Sequence, residues 1–251
     1  MSPKIVFWDI ETSTITTRAW DLYPNHIPYG NIVQDWYIIC ASWLVAGQNR
    51  VNAVSVLNDP ERFKANPRDD YYVVKKLREA LEDVDILVHH NGDRFDLKKF
   101  NARLIYHKLP PLPKILTVDT LKKVRQVAKF TSNRLDFLGI SLIGKGKISA
   151  PYSLWEEAEA GNTRAIKDLV RYNKEDVRVL QGVYDRLLPY MVTHPNVGSH
   201  GILSCPKCAA TDYKIKGYKL TAAGTKRAQY QCNSCGSYFT PKRPISFSLT
   251  K

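Results

Sequence analysis

The chain has 251 residues, 44% of them apolar and 24% charged, enough apolar material for a packed core. It contains no run of the roughly eighteen apolar residues that a membrane span requires, and Met-Ser-Pro-Lys ahead of Ile5-Val6-Phe7-Trp8 is too short, and too soon interrupted by Asp9, for a secretory signal. A cytoplasmic protein is therefore expected, and the formal net charge of +13 points to a polyanionic partner.

Lys4 to Ile10 reads as a buried strand. Trp36 to Val45 and Val51 to Leu57 are β-branched, apolar runs separated by Gly47-Gln48-Asn49, the pattern of a hairpin. Asp70 to Leu81 has helical spacing, with Val73, Val74, Leu77, Ala80 and Leu81 on one face. Asp85 to His89 is a short strand, Phe95 to His107 a helix ended by Leu109-Pro110-Pro111-Leu112-Pro113, and Ile115 to Val118 a last strand. Ser132-Asn133 can cap a short helix holding Leu135, Phe137 and Leu138. A loop with Lys145 and Lys147 follows, then helices over Ser153 to Ala160 and Thr163 to Met191. Strands first in hairpin style and then alternating with helices predict a mixed α/β sheet over residues 1–192. Residues 193–204, with Pro195, Gly198 and Gly201, read as a linker to a small unit over 205–251.

Cys40 lies in an apolar run and reads as a small buried hydrophobe. Cys205 and Cys208, and Cys232 and Cys235, form two C-x-x-C knuckles, whose four thiolates suit one structural Zn²⁺. The stretch from Asn196 to Lys251 carries nine Lys/Arg against one acid, a formal +8. The first 195 residues hold 28 basic and 23 acidic side chains, a formal +5. Lysines interleaved with Tyr213, Tyr218 and Tyr230 suit phosphate contacts and base stacking. Docking on the larger unit or on another protein is the competing use.

Three acidic segments carry the chemistry. Asp9 and Glu11 are two apart on a strand, so they share a face, and their mutual repulsion calls for a cation. Hard oxygen donors favour Mg²⁺ or Mn²⁺. Asp96 falls in the first turn of a helix at a strand's C-terminal end, where open α/β sheets tend to place ligands. Tyr172 and Asp176 are four apart and share a helix face. His89 and His90 lie at the strand end, where satisfied hydrogen bonding is their ordinary role.

Asp9-x-Glu11, then Asn91-x3-Phe95-Asp96, then Tyr172-x3-Asp176 resembles the exonuclease motifs of the DEDD superfamily in its tyrosine form. These are the ribonuclease H-like proofreading domains related to those of family B DNA polymerases. Phe-Trp-Asp-Ile-Glu-Thr-Ser (7 to 13), His-Asn-Gly-Asp-Arg-Phe-Asp (90 to 96) and Ser-Asn-Arg-Leu-Asp-Phe-Leu-Gly (132 to 139) are similar to that group, over about residues 3 to 191. The tail resembles a zinc ribbon, as on stand-alone proteins of this type in phages and bacteria.

The resemblance implies a five-stranded ribonuclease H-like sheet and 3′→5′ removal of nucleotides with two Mg²⁺ or Mn²⁺. Asp9, Glu11, Asp96 and Asp176 would hold the ions, Tyr172 would orient the water, and Thr12, Asn91 and Phe95 would contact the terminal nucleotide. Single-stranded 3′ ends are the expected substrate, DNA first, with RNA trimming as the alternative. A non-catalytic nucleic-acid-binding protein on the same fold is the rival reading. No polymerase domain fits in this length, so proofreading would act in trans, beside a replication or repair protein.

Overall fold

The computed structural model describes residues 3–198 and 203–241; residues 199–202 of the expected linker and 242–251 of the expected ribbon lie outside them. In chain order the elements are β1 (Ile5–Thr12), β2 (Thr16–Thr17), β3 (Ile32–Gln34), β4 (Ile38–Val45), β5 (Asn52–Ser55), α1 (Pro60–Ala65), α2 (Tyr71–Leu81), β6 (Ile86–His89), α3 (Asp96–Tyr106), β7 (Leu116–Asp119), α4 (Thr120–Val127), α5 (Leu135–Ile143), α6 (Ser153–Glu159) and α7 (Thr163–Leu187). Then come β8 (Tyr213–Leu220), β9 (Lys226–Cys232) and β10 (Tyr238–Phe239).

Five strands form one mixed sheet in the order β5-β4-β1-β6-β7, with β1 at its centre. β4 runs antiparallel to β1 and to β5, as expected of a hairpin, whereas β1, β6 and β7 are mutually parallel. Parallel neighbours need crossovers, and α3 supplies one between β6 and β7. Alternation along β1 divides its side chains. Val6, Trp8 and Ile10 enter one apolar cluster with α2 and Phe100, while Phe7 enters the other against Tyr184 of α7. Asp9 and Glu11 continue the Phe7 face, so they emerge where α7 crosses the sheet.

Several boundaries differ from the sequence expectation. α7 stops at Leu187 and tightens into a 3₁₀ turn over Leu188–Tyr190, because Pro189 has no N–H to continue the ladder. α5 is capped at Arg134 without a side-chain bond. Ser132 instead accepts from the Arg134 N–H in the preceding turn. α4 was not expected. It starts directly on β7, with the Asp119 carboxylate accepting from the Leu121 and Lys122 N–H groups.

β8, β9 and β10 form a separate antiparallel sheet around Tyr213, Tyr230 and Phe239. It abuts the end of α7. Cys208, Ala209 and Cys235 pack against the second apolar cluster, and the Lys207 ammonium donates to the Leu188 and Pro189 carbonyls at 3.1 and 2.9 Å. Among the described residues no helix is long and apolar enough to cross a membrane.

Candidate active site

A β-bulge between Glu11 and Thr12 ends the regular pairing of β1 with β4 just after the acid pair. Glu11 opposes Cys40, which is fully buried as read from sequence. From α7, Asn173 donates to Asp9 Oδ2 at 2.7 Å, and Asp176 lies one turn further along. Asp9, Glu11 and Asp176 each offer an oxygen within 4.8 Å of the others. Asp96, the first residue of α3, stands outside that triplet, yet its carboxylate accepts from the Ile10 amide of β1 and its charge reaches Asp9. The four acids expected from separate parts of the chain therefore converge on the end of β1.

The electrostatics are those of a site built for cations. Burial, followed by the charges of Asp96, Glu11 and Asp176, drives the Asp9 carboxyl well above its ordinary range. Burial and then Asp176 push Glu11 up to about 8, while burial raises Asp96 and Asp176 to about 6 each. One internal cation answers this repulsion. Lys147 places its ammonium on Asp176 Oδ2 and 3.5 Å from the Tyr172 hydroxyl. Burial alone would lower the Lys147 pKa, but Asp176 and Asp9 overcome it and hold the group charged. No local sequence pattern marks Lys147 for this contact, since its partner lies 29 positions away.

Asp176 is almost fully buried, and its Oδ1 has no hydrogen-bond partner among the described residues. An unpaired buried carboxylate oxygen is costly, and a divalent ion would satisfy it. The triplet and the unpaired oxygen thus fit a hard metal. Tyr172 shares the Asp176 face, with Trp155 of α6 edge-on to its ring at 5.6 Å. Burial and then Asp176 push its phenol up to about 12, so it stays protonated near neutrality.

Phe95 is 42% exposed beside a cavity of about 530 Å³ lined also by Thr12, Lys99, Tyr152 and Trp155. Asn91 adopts a left-handed φ of 64° and gives its N–H to Asp119 Oδ1 at 2.9 Å, which accounts for an asparagine at that turn.

His89, Asp93 and Asp119 make another cluster of potential ligands, but its hydrogen bonding is that of a brace. Trp8 Nε1–H donates to His89 Nδ1 at 3.1 Å, leaving His89 Nε2–H to donate to Asp93 at 2.8 Å. The nitrogen facing the acids carries the proton, and Lys122 already neutralises Asp93 at 2.6 Å. Gly92 closes the brace, since a Cβ there would stand 2.4 Å from the His89 ring. His90 bonds Thr120 and the Asn133 carbonyl. Both histidines are satisfied strand-end groups.

In the small sheet the four cysteine sulfurs converge, with Cys205 and Cys235, and Cys208 and Cys232, each 3.6 Å apart. Tetrahedral ligation at about 2.3 Å spaces sulfurs by about 3.8 Å, so this set fits zinc. It has no open position for a substrate.

A family model of the RNase_H superfamily matches residues 43–188, more than half of the chain. The chain belongs to the RNase H superfamily. That match begins in β4, so Asp9 and Glu11 lie ahead of it. Over 84 residues, this RNase H-like chain is 36% identical to the PolC-type DNA polymerase III of Ureaplasma parvum serovar 3, covering 34% of the chain and 6% of that polymerase. The family B DNA polymerase of the archaeon Pyrobaculum calidifontis shares its fold with a TM-score of 0.56 at 17% identity, over 74% of the chain and 25% of the polymerase. The chain thus spans only a small part of either protein. Superfamily membership and the acid cluster together support nuclease chemistry.

Proposed function

We propose that the chain is a 3′→5′ exonuclease that hydrolyses phosphodiester bonds at single-stranded 3′ ends. In this reading Asp9, Glu11, Asp96 and Asp176 hold two divalent ions, Mg²⁺ or Mn²⁺. The observation that carries it is the convergence of three carboxylates within 4.8 Å, with Asp96 tied to the same strand. DNA is the first substrate to test, since both similar proteins are DNA polymerases; a replication or repair protein would be the natural companion.

Ions bound there would supply water activation and would neutralise charge developing on the phosphate. The protein's own groups divide the remaining work. Tyr172, kept as a phenol, orients the attacking water rather than taking its proton. Asn173 fixes Asp9 through its amide. Phe95 offers a ring to the terminal base, with Thr12 lining the same cavity, while Asn91 lines a separate cavity that Lys147 also borders. Lys147 stabilises the metal-free acids and, once released from Asp176, stands ready for a phosphate oxygen. The Cys205, Cys208, Cys232 and Cys235 set holds a structural Zn²⁺ that keeps the small sheet folded.

The test is digestion of 3′- and 5′-labelled DNA and RNA oligonucleotides with Mg²⁺, Mn²⁺ or chelator. Mononucleotides should leave the 3′ end, chelation should stop the reaction, and Asp9→Asn should abolish cleavage while retaining binding. Undiminished cutting by Asp9→Asn would refute the assignment.

A further inference from the structure

The small sheet carries a surface that the catalytic reading does not use. β8 and β9 form a long hairpin, of which Lys214, Lys216, Tyr218, Lys219 and Lys226 are exposed. Tyr213 turns into the core with Tyr230 and Phe239, so by strand alternation Lys214 faces outward. Lys219 stands directly across from Arg227, and like charges opposite one another destabilise a strand pair. Asp212, the sole acid between Asn196 and Lys251, lies just ahead of β8 and is held by Asn233 at 2.7 Å. A hairpin with four exposed lysines and no acid on either strand is stabilised by a polyanion.

The interleaved side chains say which kind. Tyr218 is 65% exposed with the Lys226 ammonium 5.2 Å from its ring, and Ile215 and Leu220 are also open. Flat apolar faces between cations suit unpaired bases, which duplexes hide. The hairpin's sheet is fixed to the turn that ends α7, through Lys207 on Leu188 and Pro189. From Asp176 to Leu188 the helical rise gives about 18 Å. At about 3.4 Å per stacked nucleotide, a strand with its 3′ end at the acids crosses that distance in about five nucleotides.

We infer that the β8–β9 hairpin is a second binding site, holding the phosphodiester backbone and unpaired bases of the strand upstream of the 3′ end. The inference rests on the nucleic-acid substrate proposed above. It makes the chain a two-point binder, with retention dependent on strand length.

Binding of fluorescein-labelled oligo-dT and oligo-U, about five and about twenty nucleotides long, would be measured on the full chain across a salt series without added divalent ions. K214Q/K216Q/K219Q/K226Q should weaken the long strands and flatten the plot of log affinity against log salt by about 3, at about 0.7 per single-strand phosphate contact. Tyr218→Ala should weaken them about fivefold or more. Equal losses on dT and U would show that backbone and base faces are read without regard to the sugar. Bound zinc is checked in each variant. If the quadruple variant loses zinc, K214Q/K216Q replaces it, with half the change in slope expected. Unchanged slope in a zinc-loaded variant, or no binding by the parent chain, overturns the inference; an acidic protein would then be the hairpin's partner. Cleavage assayed with Mn²⁺ on the same samples keeps the two readings apart, since a chain that binds through the hairpin but does not cut refutes only the exonuclease.

Discussion

Glu11→Gln isolates the cost of the acid cluster. In the metal-free fold the Glu11 carboxyl is raised from 4.5 to about 8, first by burial and then by Asp176. The folded chain therefore holds this proton more tightly than the unfolded chain does. Stability on this account is full below about pH 4.5 and falls as pH rises toward 8. The whole interval corresponds to roughly 5 kcal/mol. Glu11 retains some solvent contact, which screens the charge, so about 2–5 kcal/mol is the working range. Glutamine keeps the shape and cannot ionise. Near pH 5 the two proteins should unfold at similar temperatures, whereas near pH 8.5 without divalent ions the glutamine variant should be more stable, by about 5 °C or more. Added Mn²⁺ should then raise the parent's midpoint by mass action and leave the variant nearly unmoved. Thermal unfolding across pH in metal-free buffer measures this. A glutamine variant less stable than the parent at high pH would refute the claim that the acids repel one another at the end of β1.

Lys147→Gln should tighten Mn²⁺ binding by about tenfold, because the ammonium on Asp176 no longer competes; titration calorimetry showing weaker or equal binding would overturn that role. Gly92→Ala forces the His89 ring aside and should cost about 1–3 kcal/mol in urea unfolding, with slower cleavage because the turn leading to Asp96 shifts. Asp70 is fully buried and accepts from the Ile38 amide, both Arg103 donors and His107. Asp70→Ala should cost about 3–5 kcal/mol by stranding the Arg103 charge. Burial raises the Asp70 pKa, but His107 and Arg103 hold it below the usual value, so its contribution is present at neutrality and is lost as pH falls through the acid range. The stability gap between the parent and Asp70→Ala should therefore narrow from pH 7 to pH 3, and a gap that stays the same would contradict this.

Most of the strands and the long helix were legible because each leaves a periodic signature over several residues. β1, β4, β6 and α7 bury continuous or strictly spaced apolar sets. α4 escaped because it follows β7 without a turn residue and buries little beyond Val124. The acids at Asp9, Glu11, Asp96 and Asp176 were legible from type and order, since spacing on strand and helix fixes their faces. What surrounds them was not. Lys147 meets Asp176, Trp8 meets His89, and Asp119 meets Asn91 across 29, 81 and 28 positions, contacts that only the closed fold creates. The exposed loop between β2 and β3, bearing Trp20, Leu22 and Tyr23, likewise has no periodic signature.

Placing Asp9 and Glu11 on the central strand has a consequence for how the molecule can fail. β6 pairs with Ile5, Val6 and Phe7 and β4 with the strand through Asp9 and Glu11, so moving the two charges away from the sheet means breaking the β1–β4 ladder. Amides of Phe7 and Trp8 should exchange with solvent only when the entire sheet opens, and the acid pair keeps its place for as long as β4 stays zipped to it.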